Sequence, residues 1–277
     1  MAATRTVPRS KEQILEHYQI EKELAQKLRR ASREQRRGLY TEVYDELLKR
    51  VRHHPLLAAR RTPEDIARSV NRQLARLTPY INKDTVFLEI GAGGCHLSLA
   101  LTSLVKHVIA VDVSNEITAH VEPPPNFDLV ISNGTNIPVP PGSIDLAFSN
   151  QLMEHLHPDD AGEQLHEIYT ALAPGGTYLC FTPNGLSGPH DVSRGFDSVA
   201  TCLHLHEYTV AELDRMLKHM GFRHRQVLLP VGNVRLPVPA VRALESCVSA
   251  LPGALGRKVA YLRPMRGFLG IRMIGRK

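Results

Sequence analysis

The chain has 277 residues, of which 43% are hydrophobic, and this is enough for one large domain with a substantial buried core. No run approaches the roughly 18 apolar residues that a membrane span needs, and residues 1–11 contain no apolar stretch resembling a signal peptide. We therefore expect a cytoplasmic protein. The four cysteines lie far apart without a C-x-x-C pair, which argues against a zinc site or a disulfide framework and predicts reduced thiols.

The net charge of +6 is unevenly distributed along the sequence. Residues 1–84 and 215–277 are basic, whereas residues 85–214 contain 16 acidic and only 2 basic side chains. Basic ends can neutralise an acidic middle within the folded molecule, or they can bind an anionic partner such as nucleic acid, a phosphorylated substrate or a membrane surface. Aromatic residues make up 5% of the chain and Trp is absent, which disfavours a nucleic-acid partner because stacking platforms are poorly supplied.

The N-terminal part of the sequence predicts helices. Residues 11–78 are rich in Glu, Lys and Arg, nearly lack Gly and place apolar residues at helical spacing. One helix start is well marked, because Thr62 can act as the N-cap and Pro63 suits the first helical position. We therefore predict a helical N-terminal extension or lid over residues 1–80.

From residue 85 onward, short β-rich runs alternate with helical segments, which predicts a parallel sheet with right-handed crossovers. Two helices are predicted to begin at Pro158 and after Thr209. The segment 183–208 fits neither element and is expected to form a substrate loop at the carboxyl edge of the sheet. The predicted fold of residues 81–277 is α/β, with a doubly wound, mostly parallel seven-stranded sheet. Its strands are 85–90, 107–113, 127–132, 144–149, 177–182, 222–229 and 268–274.

A glycine-rich turn is the strongest chemical signal in the sequence. Residues 87–95 read FLEIGAGGC, and Asp112 follows at the tip of the next predicted strand. Glycines let a strand turn sharply into a helix and let the backbone approach a ligand closely, and an acid at the second strand can bind ribose hydroxyls. A nicotinamide dinucleotide fold is disfavoured, because the third glycine of G-x-G-x-x-G would fall at His96 and Glu89 stands where that strand is normally apolar.

At these residues the sequence resembles the Rossmann-like S-adenosylmethionine-dependent methyltransferases of the small-molecule and carrier-linked type. The resemblance covers roughly residues 85–222 and implies S-adenosylmethionine as the cofactor. It departs at Cys95, where the family often has another glycine, and at Asn133, where an amide replaces the usual acid near the adenine amino group. Gln151 stands where some metal-using relatives place an acid, so no metal is predicted. The implied cofactor-binding residues are Glu89, Gly91, Ala92, Gly93, Asp112, Val113, Asn133, Gly134 and Asn150.

Two histidines are candidate catalytic residues. Methyl transfer from a sulfonium is an in-line displacement, and an oxygen or nitrogen acceptor that carries a proton also needs a base near neutral pH. His204 matches a His-x-x-x-Tyr-Thr segment of the resembled family, and His155 follows the fourth predicted strand. Either histidine can instead brace its turn. A metal cluster of His190, His204 and His206 fits no specific spacing pattern.

The leading hypothesis is O-methylation of a small-molecule or carrier-linked acceptor. A nucleic-acid or protein methyltransferase is the first alternative, and the absence of an Asn/Asp-Pro-Pro-aromatic motif counts against it, since residues 149–152 read SNQL. The second alternative is a non-catalytic binding module that keeps the cofactor-binding fold. Residues 256–277 mix basic and apolar side chains, which predicts either a helix and an edge strand or contact with an anionic membrane surface.

Overall fold

The structure is a computed structural model that describes residues 9–54, 62–114, 123–230 and 232–277. It contains an eight-stranded sheet in the order β3-β2-β1-β4-β5-β8-β6-β7. Neighbouring strands from β3 to β5 run parallel, whereas β8 is antiparallel to both β5 and β6. The predicted doubly wound, mostly parallel sheet is therefore confirmed. The strands are β1 Val86–Ile90, β2 His107–Asp112, β3 Phe127–Ile131, β4 Ile144–Asn150, β5 Leu172–Thr182, β6 Arg223–Leu228, β7 Arg235–Pro237 and β8 Ile271–Arg276.

Two details of the strand prediction were wrong. The sheet has eight strands rather than seven, because three residues, Arg235–Pro237, form a hairpin partner for β6 at the sheet edge. So short a strand, beside prolines, carries no periodicity that a sequence pattern can detect. The C-terminal strand β8 was expected at an edge, but it lies between β5 and β6.

Helices cover both faces of the sheet. Successive side chains of β1 point to opposite faces, so that Phe87 and Leu88 belong to different hydrophobic cores. The described chain also has four short 3-10 turns, at Thr78–Tyr80, Met153–His155, Gly185–Ser187 and Val192–Gly195. The α-helices are α1 Lys11–Arg30, α2 Arg33–Arg50, α3 Pro63–Leu77, α4 His96–Leu101, α5 Pro158–Ala171, α6 Val210–His219, α7 Val238–Ser249, α8 Gly253–Tyr261 and α9 Arg263–Leu269.

Helix starts follow the chemistry that the sequence predicted. The Thr62 side chain accepts a hydrogen bond from the Asp65 amide and begins α3, and Thr209 forms a capping box with Glu212 at the start of α6. Helix α5 begins at Pro158, as predicted. The four cysteines are free thiols.

The N-terminal helices are integral to the two cores. Leu24 of α1 and Val43 of α2 are buried in the larger core, while Val70 of α3 is buried in the core on the other face. Residues 1–8 and 55–61 of the predicted extension lie outside the described residues. Because α1 and α2 share a core with the sheet, their side chains at its carboxyl edge are held in fixed positions.

A buried ion pair joins α2 to the start of α5. Arg36 donates two hydrogen bonds to the carboxylate of Asp160, through Nε at 2.6 Å and Nη2 at 2.8 Å. The hydroxyl of Tyr40 donates to the same carboxylate at 2.7 Å and accepts from the amide of His157 at 2.9 Å. Each polar group is satisfied, which buried charges require. This network holds the Tyr40 ring in one position.

The ring of Tyr40 lies against Gly134, in the loop after β3. Gly134 has φ +100°, and a Cβ atom there would lie 2.7 Å from Cδ2 of Tyr40. Gly142 has φ +69° and nothing within 4 Å of the corresponding position. Both glycines therefore have a positive φ, but a side chain added at Gly134 would contact Tyr40, whereas one added at Gly142 would not.

We expect Gly134→Ala to destabilise the protein more than Gly142→Ala does. Both substitutions place a side chain in the left-handed region, at a cost of about 1–2 kcal/mol. At Gly134, overpacking against Tyr40 adds about 1–3 kcal/mol. Urea unfolding gives the two free energies, and equal losses would show that the tyrosine yields without cost.

The C-terminal helices expose apolar side chains beside basic ones. Leu255 and Leu262 of this region are 48% and 58% exposed. Among the described residues, no helix is both long and apolar enough to span a membrane. Contact with an anionic membrane surface through this segment stays a prediction.

Candidate functional site

A cavity of about 220 Å³ opens at the carboxyl ends of β1, β2 and β4. Parallel strands bring their ends to one edge, which is where ligands bind in open α/β sheets. Of the predicted cofactor residues, Gly91, Gly93, Asp112, Val113 and Gly134 line this cavity. The structure thus brings together residues that are up to 43 positions apart in the sequence.

The carboxylate of Asp112 is held rigidly beside the glycine turn. Its Oδ2 atom accepts a hydrogen bond from the Gly93 amide at 2.7 Å. Its Oδ1 atom accepts from the amides of Val113 and Ser114, at 2.8 and 3.0 Å. These donors fix the orientation of the carboxylate, and each of its oxygens keeps acceptor capacity for a ribose hydroxyl.

Glu89 lies below the turn and does not line the cavity. It is buried, and Oε2 accepts a hydrogen bond from the Ser98 hydroxyl at 2.5 Å. Burial raises the pKa of Glu89 to about 7. Ala92, the middle residue of the turn, packs against the core on the opposite face. A direct cofactor contact by either residue stays a prediction.

Asn133 and Asn150 are placed differently from the rest of the predicted set. The Oδ1 atom of Asn133 accepts from the amides of Thr135 and Asn136, both at 3.0 Å, so its own loop occupies the oxygen expected for the adenine amino group. Asn150 lines a second cavity rather than the first. Its Nδ2 atom lies 3.4 Å from Oε1 of Gln73 in α3.

Several residues that line the first cavity were missed by sequence reasoning, among them Tyr40, Tyr44 and Gln164. Gln164 of α5 donates from Nε2 to the carbonyl oxygen of Gly134 at 2.8 Å, and its buried Oε1 atom has no partner among the described residues. That oxygen can accept from a ligand N–H group, as the side chain of Asn133 was expected to do. No local motif marks these residues, because only tertiary packing brings α2 and α5 to the glycine turn.

His155 lines the first cavity as a neutral imidazole. Its Nδ1 atom lies 3.1 Å from the carbonyl oxygen of Leu203, so Nδ1 carries the proton and Nε2 keeps a lone pair. Burial, reinforced by the charge of nearby His204, lowers the pKa of His155 to about 3.

His204 lies behind His155, and the two rings meet edge to face with centroids 4.8 Å apart. Its Nδ1 atom is 2.6 Å from Oε1 of Glu207. Burial lowers the pKa of His204, but the bond to Glu207 and the nearby Glu154 outweigh it, so the net shift is upward. His204 is therefore the stronger base, whereas His155 is the histidine that lines the first cavity.

Three residues beside the cavity could hold a metal ion, of which Glu154 and His204 are buried and His155 is half-buried. Glu154, His155 and His204 each offer one ligand atom, and these atoms lie within 4.8 Å of one another. Oε2 of Glu154 accepts from the Thr182 hydroxyl at 2.8 Å, while the buried Oε1 has no partner in the part of the chain that the structure describes. His190 and His206 belong to none of the candidate metal groups found in the described part of the chain.

Comparisons with known proteins agree with this geometry. A family model described as a methyltransferase domain matches residues 88–180. A probable S-adenosylmethionine-dependent methyltransferase of Mycolicibacterium smegmatis is 30% identical over 142 residues, which are 51% of this chain and 53% of the relative. The chain thus spans about half the length of the curated relatives it matches.

Solved structures share the fold. An S-adenosylmethionine-dependent methyltransferase from Archaeoglobus fulgidus has a TM-score of 0.50 and 18% identity, covering 76% of this chain and 94% of the other. Phosphoethanolamine N-methyltransferase 1 of Haemonchus contortus has a TM-score of 0.56 and 15% identity, covering 89% and 50%. The family match, the relative and the cavity at the glycine turn together lead to one conclusion. Residues 88–180 match a methyltransferase domain, and in this part the chain is similar to S-adenosylmethionine-dependent methyltransferases, which use S-adenosylmethionine as cofactor.

Proposed function

We propose that the protein transfers the methyl group of S-adenosylmethionine to a hydroxyl group of a small-molecule or carrier-linked acceptor. The observation that carries the proposal is the neutral His155 in the same cavity as Gly91, Gly93 and Asp112. The sulfonium is already an activated leaving group, so the protein chiefly aligns the acceptor and excludes water. Such positioning contributes up to roughly 7–11 kcal/mol.

A hydroxyl acceptor suits the tautomer of His155. With Nδ1 held by the Leu203 carbonyl, the Nε2 lone pair can accept the hydroxyl proton as the oxygen attacks the methyl carbon. His204 lies behind this ring, bonded to Glu207, and its charge keeps the ring of His155 neutral before the acceptor arrives. In this assignment His155 contacts the acceptor, and His204 positions the ring of His155.

A divalent cation is the second candidate for removing the proton. Both histidines have their Nδ1 atoms hydrogen-bonded to a carbonyl or a carboxylate, which is the usual arrangement around metal-binding imidazoles. The unpartnered oxygen of Glu154 would complete a three-ligand set. A cation held there would act as a Lewis acid on the acceptor oxygen.

One assay tests the function and separates these candidates. The full chain is incubated with methyl-labelled S-adenosylmethionine and a panel of hydroxyl, amine and carbon acceptors, before and after dialysis against EDTA. We expect label on a hydroxyl acceptor, with turnover unchanged by dialysis. Loss of turnover that a divalent cation restores would instead assign Glu154, His155 and His204 as ligands. Label on amines or carbon alone would overturn O-methylation.

A further inference from the structure

A second cavity of about 220 Å³ adjoins the first at the sheet edge. It lies between the ends of β4 and β5, the start of β8 and the loop that carries His190. Gln151 lines both cavities, so the two meet at this residue. The second cavity is therefore next to the place where the methyl group would be presented.

The described residues that line the second cavity include cations and no carboxylate. Arg266 and Arg272 contribute guanidinium groups, and the remaining polar side chains are neutral, as at Asn150 and Ser187. Both arginines belong to the basic segment 215–277, whereas the acidic segment 85–214 contributes residues without a carboxylate to this lining. The cavity is therefore cationic although most of its lining comes from the acidic segment.

Arg272 keeps its positive charge without an acidic partner. Its Nη1 atom donates only to the carbonyl oxygens of Gly267 and Gly270, at 3.2 and 3.1 Å. Burial and the nearby Arg76 lower the pKa of Arg272 to about 10, which still leaves it charged at neutral pH. Among the described residues, neither arginine forms an ion pair with an Asp or Glu side chain. A partly buried cation without a counter-ion is costly unless a ligand supplies one.

Arg266 is oriented by a neutral histidine. Its Nη2 atom lies 3.1 Å from Nδ1 of His190, which therefore accepts. The other ring nitrogen, Nε2, lies 3.1 Å from the carbonyl oxygen of Asn184 and donates to it. Burial lowers the pKa of His190, so the ring orients the guanidinium without neutralising it.

We infer that the second cavity binds an anionic oxygen group of the methyl acceptor, a phosphate or a carboxylate, between Arg266 and Arg272. That this group belongs to the acceptor rests on the proposed function. Guanidinium groups bind both kinds of oxyanion through paired hydrogen bonds. Because Gln151 lines both cavities, an acceptor anchored by its anion in the second would reach the first with another part of the same molecule.

The test uses the full chain and two probes, inorganic phosphate and acetate, titrated by calorimetry at constant ionic strength in chloride. We expect one of them to bind the wild type and its affinity to fall about 10- to 100-fold in Arg266→Gln and in Arg272→Gln. Arg263→Gln is the matched control, because Arg263 is exposed on α9 and lines neither cavity. Preference for phosphate would assign a phosphorylated acceptor, and preference for acetate a carboxylate.

Thermal unfolding shows which variants are folded, and Arg272→Lys keeps the charge if Arg272→Gln does not fold. Absence of binding of both probes to the wild type, or equal affinity in Arg266→Gln and wild type, would overturn the inference. S-adenosylhomocysteine is titrated into the same samples. If it fails to bind, the proposed function is overturned, whereas the phosphate and acetate titrations still decide whether the second cavity is an anion site.

Discussion

Replacing His155 by Gln should lower turnover by roughly 10²–10⁴ while leaving S-adenosylmethionine affinity nearly unchanged. The imidazole lines the cavity with a free Nε2 atom, and Gln cannot accept a proton there. Steady-state rates and cofactor calorimetry on the same variant measure the two quantities. His166→Gln is the matched control, because that histidine is exposed on α5.

The pH profile identifies which histidine takes the proton. A base works in its deprotonated form, so the rate rises with pH through its pKa. With the pKa of His155 lowered to about 3 by burial, turnover should be flat between about pH 5 and 8. If His204 takes the proton, its raised pKa should place a rising limb above pH 6.5. Wild-type turnover in both His155→Gln and His204→Gln would leave alignment alone as the catalytic device.

Asp112→Ala should weaken S-adenosylmethionine binding by about 10- to 100-fold for each ribose hydrogen bond lost, since such bonds to a charged group contribute about 1.5–3 kcal/mol. The substitution also frees the amides of Gly93 and Ser114, so the turn loses its anchor. Calorimetry on Asp112→Ala and on Asp128→Ala, an exposed aspartate of β3, isolates the site effect. Unchanged affinity in a folded Asp112→Ala protein would remove the assignment.

The sequence predicted those parts of the molecule that local chemistry determines. Strands alternating with helices and a glycine turn followed by Asp112 were enough to predict the sheet edge at which the first cavity opens. The helix starts at Thr62 and Thr209 could also be predicted, because capping depends on neighbours a few residues away.

What the sequence could not predict depends on distant contacts. Tyr40 is held at the cavity by Asp160, which lies 120 residues further along the chain and also binds Arg36. The Oε1 atom of Gln164 is oriented by the bond from its Nε2 atom to Gly134. The side-chain carbonyl of Asn133, in contrast, accepts a hydrogen bond from an amide of its own loop. The residue type at a motif position therefore did not determine which side-chain oxygen is available to a ligand.

The position of β8 has a consequence for how the chain acquires its fold during synthesis. β8 comes after every other strand in the sequence, yet it lies between β5 and β6. Until residues 271–276 leave the ribosome, the β6–β7 hairpin has no strand through which to join the parallel part, and β5 presents an open edge. The nascent chain therefore passes through a stage with two unjoined sheet fragments, in which pairing with another chain competes with closure.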